Sequence, residues 1–353
     1  MTPRPPESFA PDLAGPALMA SVLEEYGAVT RRSVSRYLSR DRPAPYLDDL
    51  MADYPGRGGK MMRPSLCIAN TRAFGGKMED AVQSAAAIEL LHNALLVHDD
   101  IQDGSETRRG RPTLHALHGV PLAINAGDAM LLTALGPLLD NLRHLGDSVA
   151  RRIVEATLSM ARETAEGQAL ELGWRDANVI DLTEADYLTM VLKKTAWMGM
   201  IWPAQVGLLI GSRGAADPES VVRFGFFLGA AFQIEDDVRN LIPDGNYGKE
   251  LNGDLFEAKR TLILLHARRT CTADERRRLD AFLGLDRAER SPQSVSWLAE
   301  LIARTGSIDY ARTVAGALAG AATHEFSMAY GHLPPSRDKS FIEGLTPWLF
   351  QHA

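Results

Sequence analysis

The sequence predicts an all-α protein, and three features of the chain support this fold class. Apolar residues recur at spacings of three and four, as in Leu18, Val22 and Tyr26, which is the periodicity of a helix with one buried face. Alternating strand patterns bounded by hairpin turns are nearly absent, although a sheet would require them. The segments between the predicted helices, such as residues 243–246, are short and polar. We therefore expect one large helical bundle.

The predicted helices can be followed along the chain from their start and stop signals. Apolar residues within 88–95 continue one helical face into an acidic segment at residues 98–103. Residues 181–184 precede an apolar run and indicate another helix start. Residues 217–219 match an N-cap, a first-turn proline and a first-turn acid, which predicts a long helix that ends near residue 240.

The distribution of prolines and linkers indicates how the chain is divided. Residues 1–15 are rich in proline and lack helical periodicity, so we interpret them as a flexible lead-in. A length of 353 residues would by itself suggest about two domains. Because no long linker or internal repeat divides the rest, residues 16–353 are predicted to form a single all-helical domain.

Composition and charge exclude several classes of protein. The 38 basic and 45 acidic residues give a formal net charge of −7, which disfavours nucleic-acid binding but allows a local anion pocket. The two cysteines, Cys67 and Cys271, form no CxxC pair, so neither a disulfide framework nor a zinc site is expected. This cysteine usage fits a reducing, cytoplasmic location.

Neither a signal peptide nor a membrane span is expected. The N-terminal prolines interrupt the apolar stretch that a signal peptide needs. The longest uncharged run, residues 195–212, contains a proline and a glutamine and is marginal in length for a membrane span. We interpret this run as a buried core helix or helix pair.

The strongest local signal is an acidic cluster at the end of an apolar helix. Asp99 and Asp103 lie one turn apart on nearly the same helical face, with Asp100 between them. Like charges at the negative end of the helix dipole are unfavourable unless a cation compensates them. Mg²⁺ prefers such oxygen ligands and usually shares them with substrate phosphates. The alternative interpretation of one such cluster is a solvated acidic helix end.

A second acidic cluster also ends a long apolar helix. Asp236, Asp237 and Asn240 repeat the spacing of the first cluster. Two such clusters at the ends of two core helices predict a facing pair that holds metal ions between its walls.

Basic residues near these clusters would provide an anion site. Lys60 and Arg63 lie three residues apart beside a glycine pair, which suits a phosphate contact. Arg108 and Arg109 follow the first acidic cluster. The other basic candidates are lysines farther along the chain, namely Lys194, Lys249 and Lys259. A single surface Lys or Arg is usually solvated, but basic residues gathered beside acidic clusters favour a binding site.

Together these segments resemble the trans-isoprenyl diphosphate synthases, also called polyprenyl synthetases. The resemblance extends from about Gly58 to Leu265. Its motifs follow the order of that family: GGKMMRP, DDIQDGSETRRGRPTLH, NAGDAML, GQALEL, KKT, FQIEDDVRNL and GKELNGDLFEAKRT. The resemblance implies the all-helical isoprenoid synthase bundle around a central active-site cavity, and it implies a homodimer.

The resemblance also implies a role for each matching position. Three Mg²⁺ ions, bound with the allylic diphosphate, would be held by Asp99, Asp103 and Asp236, with Asp100 and Asp237 in support. Isopentenyl diphosphate would be held by Lys60, Arg63, His92 and Arg109. The allylic diphosphate would be contacted by Arg108, Lys194, Thr195, Gln233, Lys249 and Lys259. The catalytic residues would be Asp99, Asp103, Lys194 and Asp236.

The activity implied is a Mg²⁺-dependent transferase reaction. Isopentenyl diphosphate would be condensed head-to-tail with an allylic diphosphate, which could be dimethylallyl, geranyl or farnesyl diphosphate. Ionisation of the allylic C–O bond would give a carbocation, the alkene would attack it, and loss of a proton would complete the reaction. Mg²⁺ and the basic residues would stabilise charge on the leaving group, and apolar helix faces would exclude water.

Product length is expected to depend on residues one and two turns before the first acidic cluster, which are Leu91, Ala94 and Leu95. The family often limits products to fifteen carbons with aromatic residues at the last two positions. Neither is aromatic here, which predicts a C20 product, geranylgeranyl diphosphate. Asn240 resembles a variant seen among geranylgeranyl diphosphate synthases and is not expected to bind metal. Glu171 stands where the family more often has aspartate.

Two other functions remain open from the sequence. A terpene cyclase of the same superfamily would share the acidic motifs but would not need Lys60, Arg63 and His92 for a second diphosphate. A non-catalytic partner subunit of a prenyl synthase would usually lack an aspartate motif, whereas the first motif is intact here. We therefore favour the synthase.

Overall fold

The computed structural model describes residues 15–39, 44–242 and 251–352 of the chain. These residues are almost entirely helical, which confirms the predicted all-α fold. The helices of the described residues are, in chain order, α1 (Pro16–Leu38), α2 (Asp48–Gly56), α3 (Met62–Ala73), α4 (Met78–Asp103), α5 (Leu114–His118), α6 (Val120–Thr133), α7 (Leu135–Leu145), α8 (Asp147–Asp176), α9 (Glu184–Val191), α10 (Trp202–Gly211), α11 (Val222–Leu241), α12 (Gly253–Phe256), α13 (Leu262–Thr270), α14 (Ala273–Leu283), α15 (Pro292–Arg304), α16 (Ser307–Tyr330) and α17 (Arg337–His352).

Shorter elements complete the described part of the chain. A π-helical segment, Leu192–Ile201, connects α9 to α10 without a break. Two 3₁₀ turns cover Pro218–Val221 and Arg287–Glu289. After α4 the chain forms a small antiparallel hairpin of β1 (Thr107–Arg108) and β2 (Arg111–Pro112).

The start signals read from the sequence correspond to real helix starts. Asp217 accepts a hydrogen bond from the Glu219 amide at 3.0 Å, and a 3₁₀ turn then leads into α11. Helix α9 begins at Glu184, with Thr183 as its capping residue. The uncharged run 195–212 is almost wholly buried within the π-helical segment and α10, as expected for a core helix.

Some sequence-based expectations fall outside the described residues. The proposed lead-in, except for its last residue Gly15, is one of them. The polar connection at residues 243–246 and the candidate residue Lys249 are the others.

The main hydrophobic core lies where α1, α3, α4, α10, α11, α16 and α17 meet. Its largest fully buried side chains include Trp202, Tyr26, Phe224 and Tyr330. Burial of each large apolar side chain contributes about 1.5–3 kcal/mol. A second apolar cluster joins α9 and α11 to helices α13–α16. These clusters hold the helix ends that carry the acidic residues.

The π-helical segment lies between α8 and α11, and glycines let its backbone approach both helices closely. A Cβ at Gly167 of α8 would lie 2.2 Å from the backbone nitrogen of Lys194. A Cβ at Gly229 of α11 would lie 2.7 Å from the Cβ of Ala196. Because no real side chain fits at such distances, the widened π-helical turn is fixed in position from both sides.

Substitution of Gly167 by alanine is expected to push α8 away from the π-helical segment and to destabilise the protein by about 1–3 kcal/mol, as other overpacked cores do. Gly173→Ala on the same helix is the matched control, because no atom lies within 4 Å of its added Cβ and alanine favours helix. Urea denaturation measures both free energies of unfolding. Equal stability of the two variants would contradict the packing described for Gly167.

Candidate active site

The ends of α4 and α11 meet at one polar cavity. Asp99 and Asp103 from the end of α4 line it, together with Lys259. Asn240 from the end of α11 and Asp254 from α12 line it as well. The fold therefore brings the end of the first acidic cluster and Asn240 of the second, which are 137 or more residues apart in the chain, to one cavity.

Asp99 is held by side chains from α8 and from the π-helical segment. Gln168 Nε2 donates a hydrogen bond to Asp99 Oδ1 at 3.3 Å, and Lys194 Nζ lies 3.4 Å from the same oxygen. Lys194 also pairs with the buried carboxylate of Glu171. Burial alone would raise the pKa of Asp99, but Lys194 and the neighbouring cations outweigh it and lower the pKa, so the carboxylate is ionised.

Asp103 is buried and is paired through both of its oxygens. Arg175 Nη1 lies 2.6 Å from Oδ1, and Lys259 Nζ lies 3.0 Å from Oδ2. Burial opposes the charge, but these two cations and Lys194 hold the pKa of Asp103 well below its usual range. Lys259 also contacts Glu257 at 2.7 Å. The end of α4 therefore carries negative charge that basic residues of three other segments already balance.

Asp100 has a different environment from its two neighbours. It is fully buried, and Arg108 Nε lies 2.8 and 2.7 Å from its two oxygens. The Tyr54 hydroxyl also donates a hydrogen bond to it. Arg108 reaches Asp99 as well, at 3.6 Å. Asp100 thus fixes the position of Arg108 of β1, which in turn contacts Asp99 in the wall of the cavity.

In the second cluster, Asp237 is the buried member. Gln233 Nε2 donates to Asp237 Oδ1 at 2.7 Å, and the Tyr187 hydroxyl donates to Oδ2 at 2.8 Å. Burial, together with the nearby carboxylates of Asp254 and Asp236, raises the pKa of Asp237 to about 8. Asp236 is more accessible than Asp237.

Asn240 holds the chain that follows α11. Its side-chain Oδ1 accepts a hydrogen bond from the Asp254 amide at 3.0 Å, and its carbonyl oxygen accepts one from the Asn252 amide at 2.8 Å. An amide side chain suits this structural role, and the expectation that Asn240 is not a metal ligand agrees with it.

Consecutive residues of the π-helical segment connect the two clusters. Lys194 contacts Asp99 of the first cluster. Thr195 Oγ1 donates to Gln233 Oε1 at 2.8 Å, and Gln233 in turn donates to Asp237 of the second cluster. The preceding residue, Lys193, instead pairs with surface carboxylates of α8. One short segment thus fixes the relative position of both acidic clusters.

A second basic group lies beside α4, where Arg63, His92 and Arg109 share one electrostatic environment. Burial and the neighbouring arginines hold the pKa of His92 well below its usual range, so its imidazole is neutral. The carboxylate of Glu89, one helical turn before His92, attracts both arginines. Lys60 lies near Arg239 and Asp236. This group gathers several basic side chains beside α4.

The three chain-length candidates on α4 lie on different faces. Leu91 and Leu95 pack against the main hydrophobic core and remain partly accessible. Ala94 is fully buried in a separate cluster formed with α2 and α6. Leu91 and Leu95 are one helical turn apart, so these two leucines share one partly accessible apolar face of α4.

Several residues of the site were not predicted from the sequence. Gln168, Glu171 and Arg175 lie on one face of α8. Their spacing of three and four residues indicates this shared face in the sequence. Glu89 lies three residues before His92 and could have been found in the same way. Tyr54, Tyr187, Asp254 and Glu257 gave no local signal, because only the tertiary fold brings them to the acidic clusters.

Both the sequence and the fold of this chain are similar to those of known proteins. A family model described as Polyprenyl synthetase matches residues 44–302. The short chain isoprenyl diphosphate synthase of Methanothermobacter thermautotrophicus is 35% identical over 260 residues, which are 73% of this chain and 77% of the relative. The geranylgeranyl diphosphate synthase of Sulfolobus acidocaldarius is 35% identical over 285 residues, 80% of this chain and 83% of the relative.

A further relative and a solved structure extend over most of the chain. The geranylfarnesyl diphosphate synthase of Natronomonas pharaonis is 29% identical and covers 94% of this chain and 97% of its own. The crystal structure of a geranylgeranyl pyrophosphate synthetase from Pyrococcus horikoshii superposes with a TM-score of 0.82 at 31% identity, covering 95% of this chain and 98% of that chain. The helical architecture is therefore that of a prenyl synthase.

Arg175→Met is expected to lower the free energy of unfolding by about 2 kcal/mol, because the buried Asp103 carboxylate loses a charge-assisted hydrogen bond. Arg162→Met on the same helix removes an exposed pair with Glu166, and it is expected to leave the free energy of unfolding nearly unchanged, because solvent screens such a pair. Urea denaturation at neutral pH compares the two. If the two variants were equally stable, Arg175 would not be needed to balance Asp103.

Proposed function

The chain belongs to the polyprenyl synthetase family, and from this premise we propose that it condenses isopentenyl diphosphate head-to-tail with an allylic diphosphate. It is a prenyltransferase. The observation that carries the proposal is the pair Lys194 and Thr195, because Lys194 contacts Asp99 and Thr195 is connected to Asp237 through Gln233. The basic group around Arg63 and Arg109 supplies the place for a second diphosphate.

The donor groups at the cavity suit Mg²⁺. Asp99 and Asp103 are ionised oxygen donors that line the same space. Within the described ranges no three such side chains are close enough to hold a metal ion alone. This agrees with Mg²⁺, which usually takes one or two carboxylates and completes its coordination with waters and substrate phosphates. We assign three ions to Asp99, Asp103 and Asp236, with Asp100 and Asp237 in support.

We assign the basic and polar side chains to two anion sites, one for the allylic diphosphate and one for isopentenyl diphosphate. Lys194, Lys259 and Arg108 place positive charge where the allylic diphosphate leaves, and we assign Thr195, Gln233 and, by the family motif alone, Lys249 to the same diphosphate. Bound Mg²⁺ supplies further stabilisation of the leaving charge. Lys60, Arg63, His92 and Arg109 hold isopentenyl diphosphate so that its alkene can attack the allylic carbocation. Apolar faces around Leu91 and Leu95 exclude water from the cation, and the proton is lost to the released diphosphate.

An activity assay with purified protein tests this function directly. Purified protein with Mg²⁺, farnesyl diphosphate and isopentenyl diphosphate is expected to give geranylgeranyl diphosphate, identified by chromatography after dephosphorylation. Unchanged farnesyl diphosphate would overturn the proposal. Hydrocarbon from geranylgeranyl diphosphate alone would indicate a terpene cyclase. Unaltered diphosphate release by Asp99→Ala would indicate that the activity does not arise at this site.

We assign a C20 product because neither Leu91 nor Leu95 closes the apolar face of α4 with an aromatic ring. Relatives of this chain include both geranylgeranyl and geranylfarnesyl diphosphate synthases. A dominant product of C25 or longer would keep the synthase activity and would contradict this chain length.

Leu95→Phe is expected to shorten the main product from C20 to C15, because the larger ring narrows the apolar face that the growing chain follows. Leu96→Phe is the matched control, since Leu96 packs into the separate cluster with α2 and α6. Product chromatography compares both with the wild type. A C20 product from Leu95→Phe would show that the chain grows along another path.

We propose that the protein is a cytoplasmic homodimer. Large apolar side chains of α6, α7 and α8 are exposed, among them Leu132, Leu139 and Leu158 at 68%, 62% and 66%. By length and composition alone, Val120–Leu145 could span a membrane, but a helix face that is covered by a second copy has the same composition. Both cysteines are buried and unpaired, which suits a reducing compartment.

Leu139→Asp is expected to convert the dimer to a monomer, because a charge in the apolar interface would be buried without a partner. Met328→Asp introduces the same charge at a residue of α16 that is 69% exposed, and it is expected to leave the dimer intact. Size-exclusion chromatography with light scattering measures both masses. A Leu139→Asp protein that remained dimeric would place the interface elsewhere.

A further inference from the structure

We propose that Trp348, on the C-terminal helix α17, is a positioning residue that holds the ammonium group of Lys60 ready for isopentenyl diphosphate. The inference rests on the proposed function, in which Lys60 binds that substrate. The observation behind it is that Lys60 Nζ lies over the Trp348 ring, 5.4 Å from the ring centroid. A cation at this distance is attracted by the negative face of an indole.

The indole is itself held in place. Only 8% of Trp348 is exposed, and its helix neighbours Leu345 and Leu349 are buried in the main hydrophobic core. Helix α17 also packs along α3, which begins two residues after Lys60. The ring is therefore a rigid platform beside the basic loop, rather than a mobile side chain at the C-terminal end of the fold.

The backbone around Lys60 is constrained, whereas its side chain remains partly accessible to solvent. Gly58, Gly59 and Met61 all have positive φ angles, of 79°, 156° and 53°. Met61 packs against α1 so closely that a Cβ at Gly27 would lie 3.1 Å from it. The Lys60 side chain is only partly exposed to solvent, and ordering such a long chain costs rotamer entropy. Contact with the indole removes part of that cost before the substrate binds.

Charges from α11 act on the same ammonium group. Asp236 attracts it and Arg239 repels it, and the combination of burial with the Arg239 charge lowers the pKa of Lys60. Asp236 belongs to the acidic cluster that we assign to metal binding. The cation–π contact with Trp348 therefore acts on the ammonium group together with the charges of α11.

Steady-state kinetics with each substrate varied in turn test this inference. Trp348→Leu keeps an apolar side chain but removes the ring. It is expected to raise the KM for isopentenyl diphosphate about three- to thirty-fold, the range of a partly desolvated cation–π contact. The KM for farnesyl diphosphate is expected to stay unchanged. Trp348→Phe retains an aromatic face and is expected to restore most of the affinity.

Two controls separate positioning from a general structural effect. Trp297→Leu removes a comparable contact elsewhere, since Arg278 lies 3.9 Å from that ring centroid, and it is expected to leave both KM values unchanged. In a Lys60→Gln background, Trp348→Leu is expected to have no further effect, because residues that act together are not additive. Circular dichroism checks folding, and Trp348→Met replaces the leucine variant if that variant does not fold.

The outcomes distinguish a failure of the inference about Trp348 from a failure of the proposed function. If wild-type protein forms product but Trp348→Leu leaves the KM for isopentenyl diphosphate unchanged, the inference is overturned. The same follows if both KM values rise together, or if the effect persists in the Lys60→Gln background. If wild-type protein forms no product from the two diphosphates, the proposed function fails instead.

Discussion

The contact between the π-helical segment Leu192–Ile201 and its two neighbouring helices is the constraint on which the rest of the site depends. Gly167 and Gly229 allow α8 and α11 to touch the backbone of this segment. Because Lys194 and Thr195 lie within the contact, one reaches the first acidic cluster and the other reaches the second through Gln233. A shift of any of these three elements would break the contacts that connect the two clusters.

The two acidic clusters differ in how their charge is balanced. In the first, nearby cations lower the pKa of Asp99 and Asp103, so both carboxylates are ionised at neutral pH. In the second, burial and neighbouring carboxylates raise the pKa of Asp237 to about 8, so it holds a proton for much of the time at pH 7. A cation that binds near Asp237 favours its charged form.

Much of the fold and part of the site could be predicted from the sequence, because both depend on local spacing. Helical periodicity gave the fold class, and the positions of Asp99 and Asp103 within one helix gave their shared face. The environment of Asp100 could not be predicted, since Tyr54 and Arg108 reach it from outside the helix. Arg175 was missed for a related reason: its partner Asp103 lies on another helix, and only packing brings the two together.

We propose that both acidic clusters hold metal ions around one allylic diphosphate. A crystal structure with Mn²⁺ in place of Mg²⁺ and an unreactive thio-analogue of farnesyl diphosphate tests it most directly, since anomalous scattering locates Mn²⁺. We expect anomalous Mn²⁺ peaks beside Asp99 and Asp103 and beside Asp236, with the diphosphate between them and near Lys194. Metal bound at only one cluster, or a diphosphate bound away from Lys194, would contradict it.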